Sequence, residues 1–127
     1  MALILDTNAV SALFAGDPPL AEVLASEDRI HLPVIVIGEY LYGLARSRDR
    51  GRLGRLLDML IHESDVLEVD VGTASHYATL REELRLRGRP IPENDVWIAA
   101  LARQHDLPIV SRDDHFDEVA NLRRWSW

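Results

Sequence analysis

The amino-terminal stretch Met1-Ala2-Leu3-Ile4-Leu5 is apolar throughout and is followed at once by the polar residues Asp6-Thr7-Asn8. A short, unbroken apolar run is typical of a strand buried on both faces, as in a parallel sheet covered by helices. Asp6 then stands at the carboxyl end of that strand, which is where open α/β sheets bind ligands. We therefore expect an α/β fold with an acidic site beside its first strand.

Helical and strand patterns alternate along the rest of the chain. Leucines recur at helical spacing in residues 49–62, and Gly88 and Pro90 end a helix predicted for residues 73–87. Residues 34–37 favour either part of a helix over 33–46 or an extension of the preceding strand. The other predicted helices are 8–15, a segment from Pro18 or Pro19 to 26, and 94–105, and the other predicted strands are 29–32, 65–70, 107–111 and 122–125. This order predicts a three-layer α/β/α sandwich with a central, mostly parallel sheet.

Length and composition predict one domain over residues 1–127. The chain has no cysteine, which excludes disulfides and thiolate metal sites. Its amino terminus lacks the pattern of a signal peptide, and no apolar run reaches the ~18 residues of a membrane span. We therefore expect a cytoplasmic protein with no membrane segment.

The distribution of positive charge is uneven. The net charge of −7 argues against a general nucleic-acid coat protein. All 14 basic residues are arginines, and many lie in two clusters, Arg46, Arg48, Arg50, Arg52 and Arg55, and Arg81, Arg85, Arg87 and Arg89. Each cluster is either a phosphate-binding or acidic-partner-binding surface or a solvated helix face.

Four carboxylates stand out from the other acidic residues. Asp6 and Asp95 each open a predicted helix, so each is either an N-cap or a ligand, and Asn94 could take the capping role from Asp95. Glu39 has apolar neighbours on its own helix face and needs an arginine such as Arg46, a raised pKa or a metal. Asp113 follows the fourth strand, with Asp114 and Asp117 as adjacent alternatives.

A cluster of such carboxylates favours divalent-metal chemistry. Two like charges at about 4 Å repel by ~4 kcal/mol at an effective dielectric constant near 20, so several together need a cation. Oxygen ligands favour Mg²⁺ or Mn²⁺ over zinc, and no two of the five histidines have the i, i+4 spacing of a zinc site. The chemistry that this inventory supports is a metal-activated water attacking phosphorus.

Four motifs in this order resemble the PIN-domain ribonucleases, and especially the VapC-type toxins of bacterial toxin–antitoxin pairs. They are Leu3-Ile4-Leu5-Asp6-Thr7-Asn8, Ile37-Gly38-Glu39-Tyr40-Leu41-Tyr42-Gly43, Asn94-Asp95-Val96-Trp97-Ile98-Ala99-Ala100 and Val110-Ser111-Arg112-Asp113-Asp114-His115-Phe116. Together they extend over essentially the whole chain. The doubled Asp113-Asp114 departs from the common pattern.

The resemblance implies an Mg²⁺-dependent endoribonuclease, with Mn²⁺ as an alternative metal. Its catalytic residues would be Asp6, Glu39, Asp95 and Asp113, its metal ligands Asp6, Asp95 and Asp113, and its supporting polar residues Thr7, Asn8 and Ser111. It also implies an RNA substrate, a cognate antitoxin whose tail lies near the active site, and a homodimer or toxin–antitoxin hetero-oligomer. Arg46, Arg48 and Arg50 are then candidate contacts to RNA or antitoxin. The alternative is a PIN-like RNA-processing nuclease, or an RNA- or protein-binding module, without a toxin role.

Overall fold

Five parallel strands form the central sheet of the computed structural model, which describes residues 1–24 and 28–127. The strands are β1 (Ala2–Leu5), β2 (Arg29–Pro33), β3 (Asp65–Leu67), β4 (Ile109–Val110) and β5 (Arg124–Trp125). Their order across the sheet is β3-β2-β1-β4-β5, and all four pairings are parallel.

In the described part of the chain, six helices flank the sheet and complete the predicted three-layer α/β/α architecture. They are α1 (Thr7–Phe14), α2 (Pro18–Val23), α3 (Val34–Leu44), α4 (Arg50–Glu63), α5 (Val71–Leu86) and α6 (Glu93–His105), and a 3₁₀ helix covers Asp114–Glu118. Within residues 1–24 and 28–127, every helix is too short or too polar to cross a lipid bilayer.

The apolar opening of the chain becomes the centre of the core. Leu3, Ile4 and Leu5 have no exposed surface, because helices cover the faces of the sheet at this central strand. The edges of β1 are paired with β2 on one side and with β4 on the other. Ile4 is in register with both His31 of β2 and Ile109 of β4. The expectation of a strand buried on both faces is confirmed, and β1 holds Asp6 rigidly at its carboxyl end.

Several predicted boundaries shift for identifiable reasons. Residues 34–37 are helical and do not extend β2. The third strand was predicted to reach residue 70 but ends at Leu67, because Asp70 instead caps α5 by accepting a hydrogen bond from the Thr73 backbone N–H. The second helix ends at Val23, and residues 25–26 of its predicted range lie outside the described residues.

Candidate active site

Two neighbouring strand ends define the site. β1 and β4 are adjacent, but β2 and β3 lie on the far side of β1 while β5 lies on the far side of β4. The carboxyl ends of strands at such a reversal of strand order form the crevice where open α/β sheets bind ligands. Asp6 directly follows β1 and Ser111 directly follows β4, so both lie at this crevice.

Asp6 is a buried carboxylate with two hydrogen-bond donors. Its Oδ1 accepts from the Thr7 backbone N–H at 2.8 Å, and its Oδ2 accepts from the Ser111 hydroxyl at 2.7 Å. The residue is only 4% exposed. Burial raises the pKa of Asp6, and repulsion from Glu39 and Asp113 adds to the rise, whereas the two hydrogen bonds oppose it. Asp6 is therefore both the N-cap of α1 and a member of an acidic cluster, so the two interpretations of this residue are compatible.

Ser111 joins the ends of β1 and β4. Besides donating to Asp6, its hydroxyl oxygen accepts from the Asn8 amide at 3.2 Å and from the Asp113 backbone N–H at 3.0 Å. The Arg112 backbone N–H donates to the Asn8 side-chain oxygen at 3.2 Å. Asn8 and Ser111 thus hold the loop after β4 against the start of α1, which places Asp113 beside Asp6.

Glu39 reaches the same crevice from α3. Its Oε1 accepts a hydrogen bond from the Thr7 hydroxyl at 3.0 Å. No ion pair to Glu39 is found within residues 1–24 and 28–127, and the Arg46 guanidinium instead lies over the Tyr42 ring at 4.8 Å. The structure therefore does not support the alternative in which Arg46 neutralises Glu39. A cleft of about 250 Å³ between α1, α3 and α4 adjoins this carboxylate.

Asp95 lies in the first turn of α6 and is 8% exposed. Burial raises its pKa to about 6, and repulsion from Asp6 and Asp113 adds to the rise, while a hydrogen bond with His115 opposes it. The helix is preceded by Pro92 at the N-cap position, with no capping side chain, so the suggestion that Asn94 is the cap is wrong. Asp95 makes no capping hydrogen bond either, which leaves its carboxylate directed to the cluster.

Asp113 caps the 3₁₀ helix and meets the imidazole of His115. Its Oδ1 accepts from the His115 backbone N–H at 3.0 Å and lies 2.9 Å from His115 Nδ1. The same ring nitrogen lies 3.1 Å from Asp95 Oδ2. The hydrogen bond to Asp95 raises the pKa of His115, as do the charges of Asp113, Asp95 and Asp114.

His115 is the site residue that the sequence analysis did not identify. Paired spacing of histidines on one helix does not detect His115, because this residue is contributed singly by a tight turn. The sequence signal for His115 is its position two residues after Asp113. A 3₁₀ turn after a strand can direct a side chain at this position back toward the edge of the sheet where the strand ends.

The alternatives to Asp113 lie outside the cluster. Asp117 makes two hydrogen bonds of 2.8 Å with the Arg124 guanidinium. Asp114 is exposed at the surface. Asp113 is therefore the residue of this acidic loop that the fold places next to Asp6 and Asp95.

The donor set fits a divalent metal ion. Ligand atoms of Asp95, Asp113 and His115 lie within 4.8 Å of one another, and Asp6 interacts electrostatically with both of these aspartates. Buried carboxylates whose charges oppose one another are stabilised by a cation, and their oxygens are hard donors. Glu39 lies at the margin of this group, and its carboxylate accepts a hydrogen bond from the Thr7 hydroxyl.

The two arginine clusters differ in their surroundings. In the second, Arg81 pairs with Glu93, Arg85 with Glu82, and Arg87 with Glu118. In the first, Arg46, Arg48 and Arg50 are exposed around the turn between α3 and α4. Within the described part of the chain, no ion pair or hydrogen bond engages the side chains of these three arginines.

Comparison with known proteins identifies the family. The family model described as PIN domain matches residues 3–122. The chain belongs to the PIN-domain family. Ribonuclease VapC5 of Mycobacterium tuberculosis is 35% identical to this PIN domain over 115 residues, which cover 89% of this chain and 84% of that protein.

Two further relatives place this PIN domain among VapC proteins. The tRNA(fMet)-specific endonuclease VapC of Shigella flexneri is 29% identical over 103 residues, covering 80% of this chain and 78% of that protein. The crystal structure of VapBC2 from Rickettsia felis, bound to a DNA fragment from their promoter, has a TM-score of 0.88 at 26% identity and covers 100% of this chain and 99% of that chain. The predicted resemblance and the predicted fold are confirmed.

Proposed function

We propose that residues 1–127 form a single, cytoplasmic nuclease domain, a metal-dependent endoribonuclease that is the toxin of a toxin–antitoxin pair. The observation that carries this proposal is the convergence of Asp6, Asp95 and Asp113 at the reversal of strand order, with Glu39 beside them. VapC relatives named as ribonucleases or endonucleases support RNA as the substrate.

The acidic residues would hold Mg²⁺, with Mn²⁺ as the alternative, through Asp6, Asp95 and Asp113. When bound, the metal would supply positive charge against the phosphate and lower the pKa of a coordinated water. Ser111 and the Thr7 backbone N–H keep the Asp6 carboxylate in one orientation, because each donates to a different oxygen of it. A fixed orientation of Asp6 favours metal binding, because hydrogen bonds that orient a metal ligand increase the affinity of the site for the metal.

Glu39 is suited to hold a water and accept its proton. Oε1 accepts from the Thr7 hydroxyl, which leaves Oε2 to receive a proton from a water directed at phosphorus. Hydrolysis joins that water oxygen to phosphorus and breaks the bond from phosphorus to a sugar oxygen. Thr7 fixes the orientation of the carboxylate during this transfer.

An antitoxin is the proposed protein partner. Solved relatives are VapBC complexes, among them those of Rickettsia felis and nontypeable Haemophilus influenzae. The cleft beside Glu39 is lined by polar Ser11 and Ser47 and by apolar Leu44 and Leu53, so it suits an amphipathic segment of a partner. We propose that the chain forms a homodimer or a toxin–antitoxin hetero-oligomer.

Arg46, Arg48 and Arg50 are proposed contacts to the RNA backbone. Their side chains are exposed and free of ion pairs within the described ranges, and Ser47 between them lines the cleft beside Glu39. Guanidinium groups bind phosphate in a bidentate manner. They would thus position a polyanionic substrate next to an acidic site.

Mapping of RNA ends after brief expression tests the proposed function. Cells that express the protein should accumulate new cleavage ends at a small set of sites and stop growing, and an Asp6→Ala variant at the same level should produce neither result. Coexpression of the gene product encoded beside it should restore growth if that product is the antitoxin. Cleavage without growth arrest would favour the RNA-processing alternative, and no difference between the two proteins would contradict a nuclease function.

A further inference from the structure

His115 lies within the acidic cluster but has no role in the proposed function. Its Nδ1 lies 2.9 Å from Asp113 Oδ1 and 3.1 Å from Asp95 Oδ2, so one ring nitrogen faces two carboxylates from different elements. Asp95 is contributed by α6 and Asp113 by the loop after β4. The imidazole therefore lies at the junction where a cation between these carboxylates would be bound.

The backbone fixes this position before any ligand arrives. The His115 N–H donates to Asp113 Oδ1, which closes the first turn of the 3₁₀ helix. Phe116, the next residue, has no exposed surface and anchors that turn in the core. The His115 side chain itself is 45% exposed, so solvent reaches the ring.

The spacing of the three atoms suits adjacent ligands of one metal ion. Oxygen ligands lie about 2.0–2.1 Å from Mg²⁺ in a near-octahedral site, so neighbouring ligands are roughly 3 Å apart. The observed separations of 2.9 and 3.1 Å agree with this value. A protonated ring donating to both carboxylates also satisfies these distances, in which case metal and imidazole would compete.

We propose that His115 Nδ1 is a direct ligand of the catalytic metal, together with Asp95 and Asp113. The inference rests on the proposed metal-dependent nuclease function. Binding releases the Nδ1 proton to solvent, since only a neutral imidazole nitrogen coordinates a metal. Of the two metals proposed above, a nitrogen donor favours Mn²⁺ over Mg²⁺, because Mg²⁺ has the stronger preference for hard oxygen ligands.

Pulsed electron paramagnetic resonance of the intact protein loaded with Mn²⁺ alone tests this assignment. We expect electron spin-echo modulation from a directly bound ¹⁴N, changing to the ¹⁵N pattern when histidine is labelled with ¹⁵N. The modulation should disappear in His115→Asp and remain in His76→Gln, a control at an exposed position of α5. Unchanged circular dichroism melting would show that both variants fold.

Binding titrations provide the second readout. Loss of a residue that only hydrogen-bonds to a metal ligand typically weakens metal affinity by about tenfold or more. Loss of a direct ligand should cost at least as much, so we expect His115→Ala to raise the Mn²⁺ dissociation constant by at least about that factor. His115→Asp should shift the preference from Mn²⁺ toward Mg²⁺, because it restores an all-oxygen donor set.

The outcomes separate this inference from the proposed function. Bound Mn²⁺ without nitrogen modulation, or tighter Mn²⁺ binding in His115→Ala, would overturn the assignment and make the imidazole a competitor, while leaving the metal-dependent nuclease intact. Nitrogen modulation that persists in His115→Asp would come from another histidine and would also overturn it. Absence of any Mn²⁺ binding would contradict both the ligand and the metal-dependent nuclease.

Discussion

At the scale of single residues, the site combines structural and chemical roles in the same side chains. Asp6 caps α1 through Thr7 and also faces the acidic cluster, and Asp113 caps the 3₁₀ helix while meeting His115. Capping by a carboxylate at a helix N-terminus stabilises the fold by about 0.5–2 kcal/mol. That contribution offsets part of the repulsion between these carboxylates, and the raised pKa values of Asp6 and Asp95 show that the remainder favours their neutral forms.

Replacement of Glu39 tests its proposed catalytic role against a structural one. No cation in the described ranges pairs with this carboxylate, so Glu39→Gln removes a repelling charge near Asp6 without leaving an arginine unpaired. We expect the variant to lose RNA cleavage and to keep or raise its melting temperature in metal-free buffer. Glu63→Gln, at the exposed end of α4, is the matched control. Normal cleavage combined with a melting temperature several degrees lower would assign Glu39 to the core instead.

The raised pKa of Asp95 predicts an unusual pH dependence of stability. Its pKa rises from the ordinary 3.8 to about 6 on folding, so between these values the folded state binds the proton more tightly than the unfolded chain. Stability of the metal-free protein should therefore fall as the pH rises from about 4 to 6, by about 3 kcal/mol from this residue. The raised pKa values of Asp6 and His115 act in the same direction, Asp6 above its usual value of 3.8 and His115 above its usual value of 6.5.

Urea unfolding of chelator-treated protein at several pH values measures this effect. In Asp95→Asn the decline between pH 4 and 6 should be smaller than in the native chain, because the Asp95 carboxyl no longer titrates and the contribution of Asp6 remains. Saturating Mn²⁺ should restore stability to the native chain at pH 7, since metal binds only the folded state. Equal pH profiles for the two proteins would refute the assigned burial effect.

At the scale of secondary structure, the site depends on how β1 and β4 are held together. Their register, with Leu5 opposite Val110, brings the residues that follow both strands to one level of the sheet. The Ser111 hydroxyl donates a hydrogen bond to Asp6 and accepts one from the Asp113 backbone N–H. It also accepts a hydrogen bond from the Asn8 side-chain amide. The geometry of the acidic cluster is therefore a consequence of strand pairing and not of the loop sequence alone.

Removal of the Ser111 hydroxyl tests this connection. Ser111 has no exposed surface, and its loss leaves Asp6 Oδ2 and the Asp113 N–H without these partners. We expect Ser111→Ala to lower the free energy of unfolding by about 1–3 kcal/mol and to weaken Mn²⁺ binding. Ser75→Ala, on the exposed face of α5, should change neither quantity in equilibrium unfolding and metal titration. Full metal affinity in Ser111→Ala would show that the strand ends are positioned by other contacts.

Features that depend on the pattern of neighbouring residues in the sequence could be predicted, whereas features that depend on particular side-chain contacts could not. Leu3, Ile4 and Leu5 indicated a buried strand because an unbroken apolar run has few alternative environments. The end of β3 was not predictable from the β-forming Val69, because the decisive contact is the reciprocal cap between Asp70 and Thr73. His115 was missed for the same kind of reason, since its proximity to Asp95 arises between elements distant in the chain.

At the scale of the whole molecule, an acidic protein with a net charge of −7 must bind a polyanion. The acidic cluster opposes RNA binding until a metal reduces its charge, and local positive potential must supply the rest. The unpaired arginines near the cleft beside Glu39 are better placed for this than the ion-paired cluster on α5.

Salt dependence of RNA binding distinguishes the two arginine clusters. In an inactive Asp6→Ala background, replacing Arg46, Arg48 and Arg50 with glutamine should weaken binding and reduce the slope of log K against log salt by roughly 2, the value for three phosphates on single-stranded RNA. The matched control replaces Arg81, Arg85 and Arg87, which pair with acidic residues, and should change the slope less. An undiminished slope in the variant that lacks Arg46, Arg48 and Arg50 would show that these side chains are merely solvated. If that variant loses antitoxin binding but keeps RNA binding, the three arginines contact the protein partner instead.

The proposed ribonuclease activity of this PIN domain depends on a metal held by the acidic cluster at the ends of β1 and β4. Cleavage of a labelled RNA mixture by the purified chain, measured with Mg²⁺ or Mn²⁺ and again with excess chelator, tests it most directly. Metal stabilisation of the transition state supplies several kcal/mol, so Asp95→Asn should lose about a thousandfold in rate while remaining folded. The control Asp58→Asn, exposed on α4, should cleave normally. We expect metal-dependent cleavage by the native chain that vanishes in Asp95→Asn. Equal cleavage by the two proteins, or cleavage unaffected by chelator, would show that a metal held by this cluster is not needed for the activity.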